Sequence, residues 1–184
     1  MKIKIVEATI EIFKVKGIKF TMDDIAGKLG ISKRTIYETV SSKEEILSLI
    51  VDTVFDMIKK RESKILNDDS LTDVEKLKKT LIVLPTSFET IDYSRIYEVK
   101  KAYPNVYEKL EYRLENDWEP TNKLIEKCIA KGEIKHIRLH TIKTMLIGSI
   151  RDLLDSDYMY TEHVGYQETL EEIIEIIFEG LIVK

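Results

Sequence analysis

Glycine and proline are scarce in this chain, with seven and three residues among 184. So few turn formers exclude a collagen-like repeat or a chain rich in tight turns, and 43% hydrophobic residues exclude a disordered one. Cysteine is almost absent. Cys128 alone cannot form an internal disulfide, which points to a reducing, cytoplasmic setting. Long apolar runs are missing, and none approaches the roughly 20 residues needed to cross a bilayer, so no membrane partner is expected. The opening MKIKIVEATIEIFKVKG is interrupted by charges throughout, unlike a secretory signal. There is no phosphate-cradling glycine loop, nucleophile elbow or recognisable Cys–His pairing. What remains is enough chain to bury a sizeable core, as one ordinary domain or two small ones.

Charge is unevenly distributed. The formal net charge is −4, the wrong sign for a protein coated in nucleic acid. Residues 1–43, however, carry nine Lys or Arg against five Asp or Glu, a balance of +4. The remainder carries 20 basic and 28 acidic groups, a balance of −8. That asymmetry fits a basic binding end on an acidic body, although a solvated helix face gives the same count.

Apolar residues recur at helical spacing nearly everywhere, and no strand pattern or internal repeat is found. Ile5, Ala8, Ile12, Phe13 and Val15 mark a first helix that Gly17 stops. Thr21 caps a second, with Asp23 and Asp24 in its first turn, ending at Gly30. Ser32 caps a short third, Lys33 to about Thr39, with Ile36, Tyr37 and Val40 as its apolar side. Ser42 caps a fourth with Glu45 three residues on, a capping-box pattern, and its stripe of Ile46, Leu47, Ile50, Val54, Met57 and Ile58 runs to about Leu66. Five more helices are expected: from Thr72 to Leu84, about Tyr93 to Ala102, Pro104 to Gly132 with a bend at Pro120, about Leu139–Asp155, and about Tyr166–Ile182. The fold is all-α, with about nine helices.

Two short helices joined by a turn containing Gly30, the second capped by Ser32, describe a helix-turn-helix. Ala26 and Ile31 are small or apolar enough for close crossing, and Ile36 and Val40 anchor the second helix from behind. With Ile5, Ala8, Phe13, Gly17, Thr21, Ile25-Ala26, Gly30-Ile31-Ser32, Thr35-Ile36-Tyr37, Ser42-Lys43-Glu44 and Leu47 at these spacings, about the first 50 residues resemble the TetR family of transcriptional regulators. The chain departs from that pattern at Val40, where Phe is usual, and at Arg34, where Gly is common.

The resemblance implies a three-helix DNA-binding head, residues 1–47, on a helical ligand-binding and dimerisation body, residues 48–184. It implies a regulator, normally a repressor, that binds a palindromic double-stranded DNA operator as a homodimer and is released by a small molecule. No cofactor or metal is implied. By position, Lys33 and Arg34 are candidates for base edges, where Arg donates two hydrogen bonds to guanine. Thr35 suits a thymine methyl or a phosphate. Thr21, Tyr37, Thr39 and Lys43 match phosphate-clamping positions, beside the Ser32 cap, and Lys2 and Lys4 add nonspecific attraction. Tyr37 serves equally as a core aromatic, and Thr21 and Ser42 cap helices with or without DNA.

For the body, the last two helices carry more apolar positions than one buried face requires. Ile142, Leu146, Ile150, Leu153, Leu170, Ile173, Ile174, Ile177, Phe178 and Leu181 are therefore candidates for the dimer interface, against burial inside one chain. Phe88, Tyr93, Tyr97, Tyr112, Trp118 and Met145 are candidates for a pocket binding a partly apolar effector, against plain core packing. Two other function classes compete. His136 and His140 have metal-ligand spacing, but no HExxH pattern or third ligand accompanies them. A helical protein-interaction module explains the apolar C-terminal helices but leaves the Ser32-capped helix and the basic end without a purpose.

Overall fold

The computed structural model describes residues 1–85, 94–155 and 165–183. The order is α1 (Lys2–Lys16), a 3-10 turn (Gly17–Lys19), α2 (Met22–Leu29), α3 (Lys33–Tyr37) and α4 (Lys43–Leu66). Then follow α5 (Asp73–Leu81), α6 (Ser94–Ala102), α7 (Pro104–Asn116), α8 (Glu119–Ala130), α9 (Leu139–Asp155) and α10 (Tyr166–Leu181). Among the described residues the only β-type pairing is an isolated antiparallel bridge between Ile134 and Ile182.

Helix boundaries follow local chemistry. Thr21 and Ser32 accept the backbone N–H of Asp24 and Thr35, and Thr72 accepts that of Glu75. Ser42 likewise accepts the Glu45 N–H, but the Glu45 carboxylate reaches back to Ser41, one residue before the expected capping-box partner. Gly17 at φ 55 ends α1 and Gly30 at φ 64 ends α2, a region where a Cβ is unfavourable.

Two expected helices end differently. The helix from Thr72 stops at Leu81 rather than Leu84, with Ile82 as its C-cap, and a proline at 85 disfavours helical backbone at Leu84 and clashes with the carbonyl of Leu81 if the helix runs on. The bent helix expected over 104–132 is two helices, broken at Asp117–Trp118, with Pro120 in the first turn of α8. A proline needs no N–H acceptor in a first turn, so a fresh start costs less than a clash inside one helix.

One apolar core is continuous from the N-terminal helices into the body. Ile5, Ile25, Ile36 and Ile46 are fully buried at the first end, and Leu146, Ile174 and Phe178 at the other. Val15 lies outside it, exposed, while Val6 and Ile10 take the buried side of α1. Helix α4 is the spine and contacts α1, α5 and α7. The expected division at residue 47 falls inside this helix.

Candidate nucleic-acid interface and interior cavity

Helices α2 and α3 meet through a turn closed by the Ile31 N–H donating to the Ala26 carbonyl at 3.1 Å. Ile25, Ile36 and Val40 bury the back of the unit, so the opposite side of α3 faces solvent. Arg34 is 89% exposed and, among the described residues, pairs with Glu38, one turn on, at 3.0 Å. Lys33 donates to Asp23 of α2 at 2.9 Å, and that contact holds its ammonium pKa above the ordinary lysine value. Both partners are exposed carboxylates, and surface pairs of this kind exchange readily for other anions.

Ser32 is exposed, and its hydroxyl both caps Thr35 and lies 2.9 Å from Thr35 Oγ1. Thr39 is half-buried and donates to the Thr35 carbonyl at 3.2 Å. Thr21 is exposed at the start of α2, tied to Asp24. Tyr37, open to either role in the sequence, is 49% exposed and lies outside the core. Thus Thr21, Ser32, Lys33, Arg34, Thr35, Tyr37 and Thr39 come together at one end of the molecule.

Lys43 makes contacts within the chain. Its ammonium donates to the carbonyls of Ile18 and, at 2.7 Å, Phe20, and stands 4.3 Å from the centre of the Phe20 ring. Burial there lowers its pKa. These contacts let Lys43 hold the end of the 3-10 turn against α4. Lysine at a helix N-terminus gave no sequence sign of this, because its acceptors lie more than twenty residues earlier in the chain.

The body encloses a cavity of about 210 Å³. Its wall is mostly Ile, Leu, Val and Phe, drawn from α1, α4 to α10 and the segment after α5. Of the six aromatic and Met candidates, Trp118 lines it. Tyr97, Tyr112 and Met145 do not, and all three are exposed, Tyr112 by 64%. Each sits on the outward side of its helix, which a list of bulky side chains cannot reveal. Phe88 and Tyr93 lie outside the described residues.

The interface candidates are placed as follows by the single chain. Ile142, Leu146, Leu153, Leu170, Ile174, Ile177, Phe178 and Leu181 are buried within the single chain, and Ile150 and Ile173 are partly covered. Leu146, Ile150 and Leu170 line the cavity. Among the apolar and glycine residues of α9 and α10, Met145, Gly148, Ile176 and Gly180 are exposed, Ile176 by 69%, with Glu168, Glu172, Glu175 and Glu179 exposed beside them on α10. Residues missed by sequence reasoning include Ile10 and Phe13 of α1 and Leu47, Val51 and Glu62 of α4. Phe13 and Leu47 stood in helical stripes, which do not distinguish packed core from cavity wall, while Ile10, Val51 and Glu62 lay outside the stripes. His136 precedes α9 while His140 lies within it, so the two imidazoles do not share a helix face.

A family described as bacterial regulatory proteins, tetR family, matches residues 5–50. The uncharacterized HTH-type transcriptional regulator YvaF of Bacillus subtilis (strain 168) is 32% identical over 178 residues, covering 97% of this chain and 94% of that protein. Among solved structures, a regulator of Saccharomonospora viridis in complex with choline superposes with TM-score 0.74 at 14% identity, over 100% of this chain and 98% of the other. Transcriptional regulator FadR of Bacillus subtilis, in complex with stearoyl-CoA, superposes with TM-score 0.66 at 17% identity, over 96% and 97%.

Proposed function

The chain belongs to the tetR family of bacterial regulatory proteins and is a transcriptional regulator, not an enzyme, and from that premise we propose that it is a homodimeric repressor released by a small apolar effector. The observation that carries this reading is the pairing of an outward, cation-bearing α3 with a cavity whose wall includes α1. Lys33 and Arg34 read base edges from the first turn of α3, with Arg34 placed to take two acceptors of one guanine. Thr21, Ser32, Thr35, Tyr37 and Thr39 hold phosphates and set register. Lys43 acts indirectly, by fixing the 3-10 turn beside the reading helix.

A single α3 of five residues offers little contact. Two copies related by a two-fold axis read the two halves of a palindrome, which multiplies both affinity and specificity. The uncovered stripes of α9, with Met145 and Gly148, and of α10, with Ile173, Ile176 and Gly180, supply the surface for pairing. Residues 48–184 form the sensing and pairing body, and residues 1–47 the reading head.

Release requires the effector to favour one arrangement of the two heads over the other, otherwise the equilibrium does not move. Ile10 and Phe13 of α1 and Leu47 and Val51 of α4 line the cavity directly. An occupant therefore pushes on the two helices that carry the head. Arg95 of α6, which donates to the Phe13 carbonyl at 3.3 Å, adds a polar tie between body and α1.

Selection of bound duplexes from a random pool, followed by anisotropy titration at several salt concentrations, tests the reading. Two half-sites, a two-fold protein stoichiometry and a steep loss of affinity with salt are expected, since phosphate contacts release counterions. A strictly monomeric protein with no duplex affinity at low salt overturns it.

A further inference from the structure

Four charged side chains line the cavity, Lys59, Glu62, Arg113 and Asp117, in a wall that is otherwise almost wholly apolar. Glu62 is the most deeply placed, 7% exposed. Its Oε2 accepts from Lys59 at 2.8 Å, while its Oε1 accepts no hydrogen bond among the described residues. The nearby cations are already committed. Lys59 also donates to the Asp117 carbonyl. Arg113 is held by Asp117 at 2.6 Å and by Asp52 and Asp56 at 3.2 Å. Lys109 is held by Asp52 at 2.5 Å and by Ser48. The four charged side chains of the lining are two cations, Lys59 and Arg113, and two carboxylates, Glu62 and Asp117, and both cations are already hydrogen-bonded.

We propose that the effector is an apolar amine whose protonated nitrogen donates to Glu62 Oε1 while its hydrocarbon part fills the aliphatic cavity; this rests on the reading of that cavity as the effector site. Three arguments favour this class. A neutral hydrocarbon leaves a buried carboxylate oxygen unsatisfied after water is expelled, which is costly. A carboxylic acid sets a second anion against Glu62, and the lining cations Lys59 and Arg113 are already held by Glu62 and Asp117. A cation completes the hydrogen bonding of Glu62. Burial holds the Glu62 carboxyl above the usual carboxylate range, the mark of a charge that the protein alone compensates incompletely. Nor does stability demand the group, because an apolar side chain of similar size does as well in a buried wall. A cavity of about 150 Å³ accepts benzene, so this somewhat larger one suits a molecule of roughly eight to ten carbon-sized atoms.

Trp118 is the only tryptophan and lines the cavity, so its fluorescence reports occupancy. The full chain is titrated with octylamine, octanol and octanoate, and the operator complex is followed in parallel by anisotropy. Octylamine is expected to bind at least about tenfold more tightly than either analogue, as a charge-assisted hydrogen bond implies. Glu62→Gln should remove that preference and leave octanol within about twofold of its affinity for the parent. Lys59→Met, which takes away the resident counter-ion, should raise octylamine affinity and guards against a Glu62→Gln variant that fails to fold. Equal or tighter binding of octanol or octanoate, an equal effect of Glu62→Gln on amine and alcohol, or no octylamine binding overturns the proposal. If octanol or octanoate releases DNA and octylamine does not, the amine class falls while the regulatory reading stands. If octylamine binds through Glu62 and the operator complex is unmoved, the regulatory reading falls instead.

Discussion

In the head, Thr21, Ser32 and Ser42 each accept a backbone N–H from three residues further on, and the side chains they help to orient point into solvent. In the body, Phe13, Val51, Trp118, Leu146 and Leu170 meet around a space that no two of them define by proximity in the chain. The head is thus an outward-facing device made from short-range contacts, and the body an inward-facing one made from long-range packing. The proposed function uses both, a reading surface that is rigid before DNA arrives and a cavity deformable by what enters it.

The contrast breaks most severely where core is removed from the head. Ile36→Ala deletes a fully buried side chain behind α3 and is expected to lower unfolding free energy by about 2–5 kcal/mol, with loss of operator binding. Val51→Phe, whose added ring has the cavity to enter, should cost under about 1.5 kcal/mol and abolish effector binding while DNA binding persists. Urea unfolding of both variants decides this, and the reverse order of costs would erase the distinction between packed head and open body.

At the join between the regions, Gly17 has φ +55, and a Cβ there would stand 3.1 Å from Glu98 Oε2 and 3.3 Å from Arg95. Gly17→Ala should therefore cost about 1–3 kcal/mol in thermal unfolding and weaken the dependence of DNA binding on effector. An unchanged effector response would show that α6 does not couple the two parts. Arg34→Ala comes next, relaxing discrimination at one base pair by about 1–3 kcal/mol, measured with operators substituted at each position.

In the body, the Asp73 carboxylate accepts from Lys127 at 2.8 Å and Lys131 at 2.5 Å, and these hold its pKa below the usual value. A depressed carboxylate contributes stability above its unfolded pKa and loses it as pH falls. The denaturant midpoint of the parent should accordingly drop more than that of Asp73→Asn between roughly pH 6 and pH 3. Smallest is Glu38→Gln, which frees Arg34 from its intrahelical partner and should tighten operator binding by up to about fivefold. Weaker binding would assign Glu38 a positioning role for Arg34.

Legibility in the sequence followed the range of the interactions involved. Thr21, Gly30, Ser32 and the run from Leu139 to Asp155 were readable because caps, left-handed turns and apolar stripes act within a few residues. Pro120 misled because proline is compatible with either a bend or a first turn, and only the packing of Trp118 and the ties on Asp117 select the second. Tyr112 and Met145 point outward, which bulk alone does not specify, because it leaves a helix's rotation open. The carbonyl contacts of Lys43 were not legible because its acceptors are remote in the chain.

The amino-acid order alone settled that the chain is helical, where most helices begin, and that its N-terminal end carries a short cation-fronted helix after a glycine turn, because hydrogen bonding and periodicity of that kind are local. Which apolar residues became packed core, cavity wall or uncovered surface was settled only when the helices met. The same Leu or Ile satisfies all three, and its surroundings alone distinguish them.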